Sequence, residues 1–259
     1  MVLNTPKDPT LRFSSRVQSY VKYRPNYPLA VIDILTSDCG LSSSSLVADV
    51  GSGTGLLSQL FLANGNLVFG VEPNREMREA GEAFLKRYSQ FTSIAGRAEA
   101  TTLGNHSVDL VVVGQAFHWF DCRKARQEFA RILKLGGWVV LIWNVRRVSG
   151  TPFLEAYEQL LLAYAVDHAA VTDKHGDRGT VELFFGPGRF KTKTLQNVQQ
   201  LNFEGLKGRL LSSSYIPEAG DPRYEAMLRA LESIFHLHQV NGVVTLEYAT
   251  TLYYGQLEP

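Results

Sequence analysis

The chain has 259 residues, 45% apolar and 20% charged, enough for one large α/β domain or two small ones with a sizeable core. Its 26 lysines and arginines against 25 acidic residues leave no overall field to gather it onto nucleic acid or an anionic membrane, so neither is an expected partner. Two lone cysteines, Cys39 and Cys122, argue against a disulfide framework or zinc knuckle and predict a reducing, cytoplasmic setting.

Met1 to Leu11 carries Pro6, Lys7, Asp8 and Pro9 and lacks the apolar core of an export signal. Phe13, Val17, Tyr20, Val21 and Arg24 then share one helical face, predicting an amphipathic helix over Thr10 to Tyr23 that stops before Pro25. From Leu46 to Trp143 short β-branched runs alternate with helical patterns, the mark of a parallel sheet covered on both faces. The predicted strands are Leu46 to Val50, Leu67 to Val71, Phe91 to Ala95, Asp109 to Gly114 and Trp138 to Trp143. Even that last apolar run falls far below the ~20 residues that cross a bilayer. Asn64-Gly65 closes one helix, Asn74 and Asp121 cap others, and Gly136-Gly137 is read as the end of the helix that Asp121 starts.

Thr151 to Ala165 reads as a helix, and Thr194 to Phe203 and Val243 to Tyr254 alternate as strands. The excursion between those strands, Glu204 to Asn241, includes a helix, Arg223 to His238. An insertion with structure of its own suggests a cover over a site. Arg189, Lys191 and Lys193 read as a solvated strand edge.

The chemistry concentrates at V-A-D-V-G-S-G-T-G, Val47 to Gly55, a strand entering a glycine turn before the helix Leu56 to Ala63. Gly51, Gly53 and Gly55 allow a tight turn and close ligand approach, with Ser52 between them, and the helix start offers unpaired N–H groups. Glu72, at the end of the second strand, stands where a carboxylate accepts two ribose hydroxyls. Two cofactor classes share this description. A dinucleotide fingerprint needs glycine at position 56, where Leu56 stands, so the spacing favours a cofactor without a pyrophosphate over an NAD(P)-dependent oxidoreductase. Asp49 suits a ligand carrying an amino group.

With these motifs the chain resembles the class I S-adenosylmethionine-dependent methyltransferases, in the group of the ubiquinone-biosynthesis and trans-aconitate types. D-V-G-S-G-T-G (Asp49 to Gly55), G-V-E-P (Gly70 to Pro73), A-G-R-A-E (Ala95 to Glu99), G-Q-A-F-H-W-F (Gly114 to Phe120) and L-K-L-G-G (Leu133 to Gly137) each match a family motif. The resemblance implies a doubly wound α/β fold with a seven-stranded, mostly parallel sheet whose last strand is antiparallel. The implied domain covers residues 1–259: an N-terminal lid over 1–45, a cofactor-binding core over 46–145 and a cover over 204–241.

It further implies S-adenosylmethionine as cofactor, S-adenosylhomocysteine as product, and a site of Asp49, Gly51, Ser52, Gly53, Gly55, Glu72, Pro73, Ala98, Glu99 and Gln115. Many members carry aspartate where Arg97 stands, so the adenine contact falls to Ala98 or Glu99. Y-V-K-Y-R-P-N-Y-P, Tyr20 to Pro28, resembles a signature of the small-molecule branch and marks Tyr20 and Arg24 as lid residues near the reaction.

His118 is the candidate general base, needed only for a hydroxyl, amine or carbon-acid nucleophile. A pocket-shaping histidine is the plainer reading of it, and Trp119 and Phe120 read as core packing. His168, Asp173, His175 and Asp177 lack a metal-ligand spacing, so no metal is expected. The expected function is methyl transfer to a small molecule with an O-, N- or C-nucleophile, including a carboxylate. A non-catalytic S-adenosylmethionine-binding protein is the other alternative, and the sequence leaves the oligomeric state open.

Overall fold

Seven strands form one sheet in the computed structural model, which describes residues 22–166 and 178–257. They are β1 (Leu46–Val50), β2 (Leu67–Val71), β3 (Phe91–Ile94), β4 (Val108–Gly114), β5 (Leu133–Arg146), β6 (Lys191–Leu201) and β7 (Val244–Gly255). The order is β3-β2-β1-β4-β5-β7-β6, parallel except that β7 runs against β5 and β6.

The continuous apolar runs are explained by burial on both faces. Alternation sends Val47, Leu110, Val112, Val140 and Ile142 to one face, under α1 (Ala30–Cys39) and α2 (Leu56–Ala63). Ala48, Val50, Val111, Val113, Val139 and Leu141 face the other way, where Phe129 of α4 (Cys122–Ile132) and Phe184 of α6 (Arg178–Phe185) meet them. The Asn74 side chain caps α3 (Arg75–Leu85) by accepting the Met77 N–H at 2.8 Å, and Asp121 caps α4 through the Lys124 N–H at 3.1 Å.

Two sequence expectations are corrected. Gly136-Gly137 does not end α4, which stops at Ile132 and passes directly into β5. The pairing with β4 then jumps from Val108↔Leu133 to Leu110↔Trp138, so residues 134–137 loop out, with Gly136 at φ 77°. The sixth strand does not reach Phe203: it ends at Leu201, and Asn202 caps α7 (Phe203–Leu211) by accepting the Gly205 N–H at 2.8 Å. The excursion before β7 holds the expected helix as α8 (Tyr224–His238), with α7 ahead of it. The expected helix over 10–23 lies outside the described residues except for Lys22 and Tyr23, which are helical. No helix among the described residues is long and apolar enough to cross a membrane.

β4 makes its last pairing at Gly114↔Ile142, whereas β5 continues against β7 to Arg146↔Tyr248. On this projecting part of the sheet α5 (Pro152–Tyr164), α7 and α8 build a third core around Leu154, Tyr157, Leu206, Leu231 and Tyr248. It rises beside the carboxyl ends of β1 and β4, where the strand order reverses and open α/β sheets take their ligands.

A strap over residues 23–27 is tied to this addition. Gln199 Nε2 donates to Tyr23 O at 2.9 Å, Asn197 Nδ2 to Asn26 O at 2.7 Å, and Arg24 Nη2 to Ser212 O at 2.8 Å. Gly208 of α7 leaves room for the Tyr23 ring, which a Cβ there would meet at 2.1 Å. Asn197→Ala is expected to release about 0.5–1.5 kcal/mol of this anchoring. Hydrogen exchange of residues 23–27 should speed up several-fold while β1 and β4 stay protected; unchanged exchange would assign the anchoring to the other contacts.

Candidate functional site

β1 ends in a loop held in shape by its glycines. Gly51, Gly53 and Gly55 have φ of 72°, 55° and 82°, left-handed values that side chains resist. The Gly51 and Ser52 N–H groups donate to Val71 O at 2.8 and 3.1 Å, pinning the loop to the end of β2. Glu72 adds a second clamp, since Oε2 accepts the Gly53 N–H at 2.9 Å and Oε1 the Asn74 N–H at 2.8 Å. The sequence did not reveal this loop-holding role. Burial raises the Glu72 pKa above the usual carboxylate value, and the two N–H groups pull against that shift.

Asp49, just before the loop, is fully buried. Its Oδ2 accepts the Ser58 hydroxyl at 2.6 Å, while Oδ1 has no partner among the described residues. Burial pushes its pKa up to about 7, the Ser58 bonds resist, and the Glu72 charge adds to the rise. Gln115 sits beyond β4 at φ 60°, with Nε2 donating to Asn144 O at 3.1 Å. Gln115 Oε1 and Thr54 Oγ1 are also enclosed without partners among the described residues.

Asp49, Thr54 and Gln115 line one cavity of ≈ 220 Å³. Asp49, Gly51, Ser52, Gly53, Gly114 and Gln115 come from the strand ends, and Arg24 and Tyr27 from the strap. His118 and Trp119 come from the short turn Phe117–Trp119, while Arg146, Glu158, Arg209 and Tyr215 come from the addition. Phe117 and Phe120 pack instead against Phe129 and Phe184 in the core, so of the expected packing residues Trp119 alone reaches the cavity.

Glu72, Pro73, Ala98 and Glu99 are not among the lining residues. Ala98 is buried, and Glu99 Oε1 accepts the Asp121 N–H at 2.8 Å. Arg24 is engaged with the last turn of α7 through Ser212 O. Gly55 is buried behind the loop, where a Cβ would meet Leu85 at 2.5 Å. Tyr20 and the group His168, Asp173, His175 and Asp177 lie outside the described residues.

Sequence reasoning missed the polar residues of the addition. Arg146 pairs with Glu158 across one wall. Arg209 of α7 is 6% exposed and donates to Tyr248 Oη at 3.1 Å and Ser213 Oγ at 3.2 Å. In sequence this residue is one cation on a short amphipathic helix; only the fold buries it.

A sequence profile of the methyltransferase domain matches residues 48–141, β1 through most of β5. An uncharacterized methyltransferase of Schizosaccharomyces pombe is 33% identical over 225 residues, 86% of each chain. The chain belongs to the class I S-adenosylmethionine-dependent methyltransferases. An uncharacterized methyltransferase of Mycobacterium tuberculosis is 39% identical over 140 residues, a stretch covering 54% of this methyltransferase and 55% of that relative. The match thus spans about half the length of the mycobacterial relative. A solved structure of a candidate type II methyltransferase from Anaeromyxobacter dehalogenans shares the fold at 19% identity and a TM-score of 0.69, over 92% of this chain and 99% of that one.

Proposed function

We propose that the enzyme transfers a methyl group from S-adenosylmethionine to a small-molecule acceptor within the cavity at the carboxyl ends of β1 and β4. Asp49 carries this reading. A buried carboxylate with one oxygen unpartnered beside a cavity is costly, and a ligand ammonium, held directly or through water, relieves that cost. The amino group of the cofactor meets this requirement, so the residues present fit it.

Glu72 has lone pairs left after its two backbone bonds, and in this reading they accept the ribose hydroxyls. Gly51, Ser52 and Gly53 keep the backbone close to the ligand, and Gly55 behind them holds the turn against Leu85. Pro73, Ala98 and Glu99, after β2 and β3, take the adenine side, and Gln115 Oε1 offers an acceptor from β4. When bound, S-adenosylmethionine supplies a methyl group already activated on a sulfonium, ready for in-line displacement. The protein then has to align the acceptor and keep water out. Trp119 presents an aromatic face suited to a sulfonium, and Arg24 holds the strap closed against α7. His118 takes the proton when the nucleophile is a hydroxyl or amine.

Calorimetry with S-adenosylhomocysteine and NAD, followed by a metabolite screen for S-adenosylhomocysteine release, tests the reading. Binding of NAD alone would overturn it. Glu72→Ala is expected to weaken S-adenosylhomocysteine binding by about 1–3 kcal/mol, the scale of hydrogen bonds to a charged group. A variant that melts earlier but binds unchanged would confine Glu72 to holding the loop.

A further inference from the structure

The addition over the sheet edge buries a cation without burying a carboxylate beside it. Arg209 makes no salt bridge among the described residues; its neighbours are the Tyr248 and Ser213 hydroxyls, with Tyr157 and Tyr215 nearby. A guanidinium has five N–H donors and stays charged, and here Nε and Nη1 supply one bond each. Nη2 donates to none of the described residues and is not among the sealed polar atoms, so it remains accessible on a residue that lines the cavity. Enclosing an arginine with neutral partners alone is unfavourable unless a ligand completes the charge.

The other two arginines of the cavity are occupied. Arg146 is paired with Glu158, Arg24 donates to the Ser212 carbonyl, and no lysine lines the space. One guanidinium edge matches a planar, singly charged group, whereas a phosphate dianion calls for more positive charge than the cavity offers.

We infer that the acceptor is a small molecule bearing a carboxylate and that Arg209 holds that carboxylate, an inference resting on the methyl-transfer reading above. Tyr248 and Ser213 orient the guanidinium, and Tyr215 closes the same wall. The core around Leu154, Tyr157 and Leu206 makes this a fixed, preshaped subsite.

The test uses the full chain saturated with S-adenosylhomocysteine. Benzoate, 3-phenylpropanoate, hexanoate and adipate are each titrated beside the matching amide, with phenyl phosphate as a further probe. At least one acid is expected to bind tenfold or more tightly than its amide. Arg209→Gln should erase that preference while changing S-adenosylhomocysteine affinity by less than threefold, and Arg209→Lys should keep part of it. No acid preferred over its amide, or phenyl phosphate preferred over every acid, overturns the inference. So does an Arg209→Gln variant that loses S-adenosylhomocysteine affinity, because Arg209 would then belong to the cofactor. If that variant fails to fold, the wild-type comparison of acids with amides decides alone. A wild-type protein that binds no S-adenosylhomocysteine defeats the methyl-transfer reading itself, a result distinct from all of these.

Discussion

Asp49→Asn is expected to make the ligand-free protein more stable at pH 8 and its S-adenosylhomocysteine complex weaker. Folded Asp49 holds its proton up to a pH of about 7, while an unperturbed aspartate ionises near 3.8. Its contribution to stability is therefore complete below pH 3.8 and is lost as pH rises through 7. The gap corresponds to about 4 kcal/mol at alkaline pH. Asparagine escapes this penalty but leaves an amide N–H unpaired where Oδ1 stood, at about 1–3 kcal/mol. The net gain of about 1–3 kcal/mol should raise Tm by roughly 2–10 °C at pH 8 and vanish or reverse at pH 5. S-adenosylhomocysteine affinity should fall by about 1.5–3 kcal/mol, because the ammonium loses its carboxylate. In the wild type that affinity should decline with falling pH below about 7, as Asp49 takes up a proton. Melting curves at the two pH values and calorimetry check both halves; equal Tm differences at pH 5 and 8 would mean that Asp49 is not the buried titrating group.

Gly51→Ala carries the second large expected effect. At φ 72° any side chain is strained, and the new Cβ would stand 2.6 Å from Ala116 Cβ, an atom fixed to its own backbone. Left-handed strain of about 1–2 kcal/mol adds to an overpacking cost of about 1–3 kcal/mol. The loop must shift, and the N–H bonds from Gly51 and Ser52 to Val71 O shift with it. A stability loss of about 2–5 kcal/mol and at least a hundredfold loss of S-adenosylhomocysteine affinity are expected. Gly40→Ala is the control, because Gly40 has φ 70° with nothing within 4 Å. It should show the backbone strain alone and leave binding intact. Equal behaviour of the two variants would show that the contact with Ala116 is harmless.

The legible half of the protein is the half whose physics is local. β1, β2 and β4 announce themselves as apolar runs, and β1, the glycine turn and α2 form one continuous stretch, so Asp49, Gly51 and Glu72 could be placed from spacing. Phe203 was misplaced because it continues the apolar alternation of β6, although Asn202 before it already supplied a helix cap. Arg209, Tyr248 and Arg146 escaped notice for a different reason. They come from α7, β7 and the far end of β5, and their burial depends on how those elements stack. A hydrophobic pattern records which side of a helix is apolar, but not that a cation on α7 will be enclosed by tyrosines from two other elements.

The ties on the strap bear on when the site comes into being during synthesis. Arg24, Asn26 and Tyr23 bind groups 188, 171 and 176 residues further along the chain. A growing polypeptide paused after β5 has already made the glycine turn and the carboxylates beneath it, yet most of the groups that fasten the strap, on β6 and just after α7, are still missing. Ribosome-bound chains of that length would present half a pocket open to solvent, and closure must wait for β6 and α7 to emerge. Completion of the pocket thus becomes a late event in the life of the nascent chain, and chains stalled short of α7 would lack the wall that carries Arg209.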